Sequence, residues 1–115
     1  MTDTVKSLQV LATSIGLRIF IRVLKDGPGT SGALKLGYYG AGRTAARSAK
    51  GSNSQRSYNE QRLMALAEGI IHKVPATEAY ELTLKGKELL AYCQEHNVDL
   101  NVKSEAETRW ETKNA

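Results

Sequence analysis

At 115 residues with 41% apolar side chains, the chain has the length of one domain and enough apolar content for one modest core without metals or disulfides. No run nears the roughly eighteen apolar residues of a membrane span, and the opening Met1-Thr-Asp-Thr has neither the charged start nor the apolar centre of a secretory signal, so a cytoplasmic protein is expected. The formal charge of +4 hides an asymmetry: residues 16 to 73 hold ten Lys and Arg against three Asp and Glu, a balance of +7, while residues 74 to 115 hold five against eight, a balance of −3. A basic segment beside an acidic end suits a polyanionic partner, whose binding falls with salt as counterions are released. A solvated surface on a mildly basic protein gives the same count, so charge alone favours nucleic acid only modestly.

From Thr4 the apolar residues Val5, Leu8, Ala12 and Ile15 recur at helical spacing, with Thr2, Asp3 or Thr4 as the N-cap. Gly16 interrupts this helix. Residues 17 to 24 then read as a second helix or a continuation, burying Phe20, Val23 and Leu24 with Arg18, Arg22 and Lys25 facing out, and stopping at Asp26-Gly27-Pro28-Gly29. The β-branched residues of this run would also suit a strand, but the spacing of its apolar positions favours the helix.

Thr30 or Ser31 can cap a short helix through Ala33, Leu34 and Leu36 that weakens at Gly37 and Gly40. It would be the first helix of a helix-turn-helix. Residues 40 to 54 are small, polar and basic: either a mobile loop or a short helical turn in which Arg43, Arg47 and Lys50 share a face and become ordered on DNA.

Residues 54 to 68 form the segment expected to read a nucleic-acid sequence. On a helical projection Leu63, Leu66, Ala67 and Ile70 make one stripe, expected to face the core. Tyr58, Gln61, Ala65 and Glu68 lie opposite, flanked by Gln55 and Arg62, and this polar face suits a major groove, where arginine pairs with guanine and glutamine or asparagine with adenine. Ser54 or Ser57 would cap the helix and bring its positive end near a phosphate. An ordinary surface helix with a polar face toward water is the bland alternative.

Glu68-Gly69 ends that helix, and Ile70 to Val74 alternates as a strand that turns at Pro75-Ala-Thr-Glu78 and returns as Ala79 to Leu82. Tyr80 and Leu82 would project to one face and Glu81 to the other. Lys73 and Thr77 are candidates for phosphate contact from this hairpin, while Glu78 near its tip would repel phosphate. Thr83 can cap a last helix, from Leu84 to about His96, burying Leu84, Leu89, Leu90 and the single cysteine, Cys93. The expected organisation is therefore one domain over residues 1 to 97 and an acidic tail over 98 to 115, either disordered or docking Trp110 on a partner subunit.

Other chemistry finds little support. His72 and His96 are far apart and lack a metal-ligand spacing, and Gly37-Tyr-Tyr-Gly-Ala-Gly42 lacks the preceding strand and closing lysine of a phosphate-cradling loop. No serine, tyrosine or lysine has an evident base and orienting partner. No catalysis, metal or cofactor is expected.

At Leu63-Met-Ala-Leu66, Gly69-Ile-Ile-His-Lys73 and Tyr80-Glu-Leu-Thr-Leu-Lys-Gly-Lys-Glu-Leu-Leu90 the chain resembles winged-helix regulators of the MarR and PadR type. The resemblance implies a mostly α fold with a small β-hairpin, a winged helix-turn-helix. It also implies a homodimer placing two recognition helices in successive major grooves, with Gln55, Tyr58, Asn59 and Arg62 as reading residues. The link between the helices of the motif is longer and more basic than in those families, and the last helix is shorter than their dimerisation arm. The expected function is a double-stranded DNA-binding transcriptional regulator, with Ser54, Gln55, Tyr58, Asn59, Gln61 and Arg62 at bases and Arg43, Arg47, Lys50, Arg56, Lys73 and Thr77 at phosphates. One rival is a protein adaptor using Tyr38, Tyr39, Tyr58 and Trp110. Another is a sequence-indifferent nucleic-acid binder in a replication, packaging or mobile-element assembly.

Overall fold

Ser14 decides where the central helix begins. Helical residues 8–11 give way to a turn at Ala12 and Thr13, and the Ser14 hydroxyl then accepts from the Leu17 N–H at 3.2 Å to cap helix α1, Ile15–Val23. The computed structural model describes residues 8–40, 53–104 and 107–108, with the backbone alone described at 53–56. Leu17, Ile19, Phe20 and Ile21 are all fully buried, so α1 is wrapped on more than one side. It packs against α2 (Ser31–Tyr39), α3 (Asn53–Ala67) and α4 (Leu84–Glu95).

The β-branched residues of α1 therefore suit an interior helix rather than a strand. Arg18 and Arg22, expected to face water, do not. Their guanidinium groups turn back on the protein: Arg18 Nε donates to the Ala12 carbonyl, and Arg22 donates to the carbonyls of Leu100, Val102 and Gly37. Main-chain carbonyls at the core's edge need donors, and a long arginine can bury its stem while supplying several.

Thr30 caps α2, its hydroxyl accepting from the Ala33 N–H at 3.1 Å, and Gly40 closes the helix at φ 86°. Gly37 lies where α2 meets α1 most closely, since a Cβ there would press on the Val23 side chain. Helix α3 ends at Gly69, which adopts φ 74°, as the Glu68-Gly69 stop implies.

Strands β1 (Ile71–Lys73) and β2 (Tyr80–Leu82) follow as an antiparallel pair in the register Ile71 to Leu82, His72 to Glu81 and Lys73 to Tyr80. Tyr80 and Leu82 are buried and Glu81 is turned outward, matching the expected alternation. On its other side Tyr80 bridges Gly29: the Gly29 N–H donates to the Tyr80 carbonyl at 2.9 Å and the Tyr80 N–H to the Gly29 carbonyl at 2.7 Å. Thr83 then caps α4, accepting from the Gly86 N–H, while its hydroxyl and N–H donate back to the carbonyls that end α3.

Leu89 and Cys93 of α4 are buried as expected, whereas Leu84, at the first position after the cap, is 77% exposed. Residues 98–104, assigned by sequence to a tail, lie on the same core. Val98, Leu100 and Val102 pack against it, and Ser104 is buried, its hydroxyl donating to the Tyr38 carbonyl. Through Ser104 the docking is onto the chain's own helices; Trp110 lies outside the described residues. No helix among the described residues is long and apolar enough to cross a membrane.

Candidate nucleic-acid interface

Helix α3 is rotated relative to the sequence expectation. Tyr58, placed by periodicity on the outer reading face, is 1% exposed, and Ala65 on the same stripe is fully buried. Leu63, expected inside, is 55% exposed and Ala67 is also outside, while Leu66 and Ile70 of the same stripe keep to the core as expected. The reason is the aromatic content of α1 and α2: the Tyr58 ring sits edge-on to Phe20 at 6.1 Å and to Tyr38 at 6.2 Å, with Tyr39 also at 6.2 Å. Burying a tyrosine ring removes more apolar area from water than burying one leucine, and edge-to-face pairs add about 0.5 to 1.5 kcal/mol.

Polar tips complete the arrangement. The hydroxyls of Tyr58 and Ser31 are 2.7 Å apart and Tyr58 also donates to the Ser31 carbonyl at 3.2 Å, while Tyr38 and Ser57 hydroxyls pair at 2.6 Å. Helices α2 and α3 are thus joined by two side-chain hydrogen bonds around a ring cluster. Burial pushes the Tyr58 phenol above the ordinary tyrosine range, against the opposing pull of the Ser31 hydrogen bond and the Arg62 charge. It is a structural group, not a base reader. Tyr38 and Tyr39 are likewise buried, so they offer no adaptor surface.

The remaining sequence candidates separate by place. Gln61 is partly buried over Gly16, where an added Cβ would collide with its amide, and it lines a cleft of about 280 Å³ with Thr13, Ser14, Tyr38 and Ser104. Arg62 donates from Nη1 to the Tyr80 hydroxyl at 3.2 Å, tying α3 to the hairpin. Asn59 is half-buried, and Ser54, Gln55 and Arg56 fall in the first turn of α3 with their side chains outside the described set. Arg43, Arg47 and Lys50 lie outside the described residues.

The hairpin offers little free positive charge. Lys73 Nζ is 3.4 Å from Glu78 Oε1, His72 Nε2 is 2.8 Å from Glu81 Oε1, and the Thr77 hydroxyl accepts from the Ala79 N–H within the turn. Exposed pairs of this kind contribute at most about 1 kcal/mol, yet they cancel the charge a phosphate would need. Glu78 takes φ 57° at the tip.

Of the described cations between residues 16 and 73, Arg18, Arg22 and Arg62 spend donors inside the protein, Lys73 is paired, and Lys25 is exposed past the end of α1, beside Pro28 and Glu81. Lys35 differs. It reaches over the Tyr58 ring, Nζ 5.7 Å from the centroid, at the seam of α2 and α3, and no carboxylate among the described residues pairs with it. Nothing in the sequence marks it beyond its charge, because its position depends on Tyr58 turning inward. On α4, burial pushes the Cys93 thiol above its ordinary range, with the Arg18 charge opposing this. No known family, curated protein or solved structure matches the chain.

Proposed function

We propose that the chain is a winged helix-turn-helix protein that binds double-stranded DNA and regulates transcription. The observation that carries this reading is the Gly29–Tyr80 bridge beside the hairpin. With it the order runs α1, an extended residue, α2, α3, β1, β2, α4, the order in which a winged helix-turn-helix sets a helix pair against a small sheet. The hydrogen bonds from Ser31 to Tyr58 and from Tyr38 to Ser57 fix the angle between α2 and α3, which such a motif needs before one helix can enter a groove.

The contact surface differs from the one periodicity suggests. From Glu60 onward the exposed side chains of α3 and of the turn after it are Glu60, Leu63, Ala67 and Glu68, which cannot donate to base edges or phosphates. Base reading therefore belongs to the N-terminal part, to Gln55 and Asn59, with Ser54 at the helix start. Arg43, Arg47, Lys50 and Arg56 supply the phosphate contacts, and a homodimer would present two such ends to adjacent grooves.

That acidic and apolar outer face favours a second reading, a binder of duplex DNA with little sequence preference, since so few reading residues remain. Selection of bound fragments from a random duplex pool by the purified protein, at two ionic strengths, separates the two. A recovered motif that persists at higher salt supports the regulator. Retention of unrelated fragments alike, lost together as salt rises, supports the indifferent binder, and no retention at either salt rejects DNA binding.

A further inference from the structure

We infer that Lys35 is a phosphate-contacting residue that extends the DNA footprint from α3 onto α2, an inference that rests on the DNA-binding reading above. The inward turn of Tyr58 creates the site. Its ring packs in the core cluster, edge-on to Phe20, and the Lys35 ammonium lies 5.7 Å from its centroid, so the lysine reaches from α2 to the N-terminal half of α3. A cation over an aromatic face is held electrostatically without using its N–H donors, which stay available to an anion.

The surroundings leave that charge uncancelled. Arg18, Arg22 and Arg62 each turn donors onto protein carbonyls or the Tyr80 hydroxyl, Lys73 faces Glu78, and the exposed Lys25 lines a separate cleft with Pro28, Glu81 and Lys87. Lys35 has no carboxylate partner among the described residues and sits in the half of the chain with a balance of +7. Tyr58 lies one helical turn beyond the first turn of α3, so Lys35 stands on the order of 10 Å from Ser54, Gln55 and Arg56. That separation is about one Debye length at moderate salt and spans a few nucleotides of one strand. A duplex seated on the start of α3 would bring a phosphate to Lys35 without repositioning either helix.

The test is the salt dependence of duplex binding by the full chain, read by fluorescence anisotropy on a labelled random duplex, for wild type, Lys35→Gln, Lys35→Arg and Lys87→Gln. Lys87, an exposed lysine of α4 outside the α2–α3 seam, controls for the loss of one unit of net charge. Loss of one phosphate contact should flatten the log–log salt slope by about 0.9 in Lys35→Gln, with equal weakening on unrelated duplexes. Lys35→Arg should keep the wild-type slope and Lys87→Gln should stay close to it. A Lys35→Gln slope equal to wild type, or an equal drop in Lys87→Gln, overturns the assignment while leaving DNA binding intact. Failure of the wild-type chain to bind duplex at any salt overturns the functional reading and this inference with it. Thermal midpoints of the variants, expected to match wild type within a few degrees, distinguish a lost contact from a lost fold.

Discussion

The hydroxyls of Tyr58 and Ser31 lie 2.7 Å apart, and this pair, 27 residues apart in sequence, ties the inward-facing side of α3 to the start of α2. Replacing Tyr58 with Phe keeps the ring but deletes the hydrogen bond, at an expected cost of about 1 kcal/mol. Tyr58→Ala also removes the ring from its cluster and should cost about 3 to 5 kcal/mol in denaturant unfolding. A change below about 0.5 kcal/mol in Tyr58→Ala would mean the ring is outside.

The rotation of α3 makes opposite predictions for two neighbouring positions. Leu63→Gln, at a 55% exposed site, should change stability by less than about 0.5 kcal/mol. Ala65→Gln forces a long polar side chain into a fully buried position and should cost about 2 kcal/mol or more. The reverse order in chemical denaturation would restore the periodicity-based face.

Tyr58 and Cys93 both resist ionisation in the folded state because of burial. The unfolded groups lose their protons near about pH 10 and about pH 8.5, while the folded groups hold them to higher pH. Above each unfolded value the unfolded state therefore binds fewer protons, and stability falls as pH rises. Cys93→Ala should remove the part of the decline that begins at about pH 8.5, and Tyr58→Phe the part above about pH 10. Denaturation midpoints measured from pH 7 to 11 check this. An alkaline decline identical in wild type and both variants would place both groups in water.

Arg22 joins three carbonyls, those of Leu100, Val102 and Gly37. Arg22→Met keeps an apolar stem but removes every donor, with an expected loss of about 2 to 4 kcal/mol. Its more specific effect should be release of residues 98–104, seen as faster cleavage after Asn97 in limited proteolysis. Equal cleavage rates in wild type and variant would show that Arg22 does not hold this segment.

Two glycines separate backbone from side-chain contact. Gly86→Ala offers about 1 kcal/mol of helix propensity, but its Cβ would overlap the Ile70 carbonyl, which already accepts from Thr83. A net destabilisation of about 2 kcal/mol is expected. Gly16→Ala presses on the Gln61 side chain from its amide oxygen to Cγ, a flexible group that can swing aside, so its cost should stay below that of Gly86→Ala, within about 1 kcal/mol. Thermal unfolding of the two variants should place Gly86→Ala well below Gly16→Ala, and the opposite order would contradict the packing described.

Local signals carried most of the secondary structure into view. Thr30 and Thr83 cap where their spacing implies, Gly69 stops α3, and the alternation of Tyr80, Glu81 and Leu82 fixes the hairpin's faces. What stayed hidden depends on distant partners. Helix α3 has apolar side chains on both candidate faces, and only the rings of Phe20, Tyr38 and Tyr39, supplied by other helices, make the Tyr58 side the inner one. Arg22 reads as solvent-facing because two of the carbonyls it serves, Leu100 and Val102, are about eighty residues away. Gly29 pairs with Tyr80 as a single residue, too short for any alternation to announce it.

Duplex binding by the wild-type chain against salt tests the account most directly. With Arg43, Arg47, Lys50, Arg56 and Lys35 at phosphates, the log–log slope should be about −4.5, a loss of about 500-fold in affinity between about 50 and 200 mM salt. Absence of binding at the lower salt, or an affinity unchanged across that range, would contradict it.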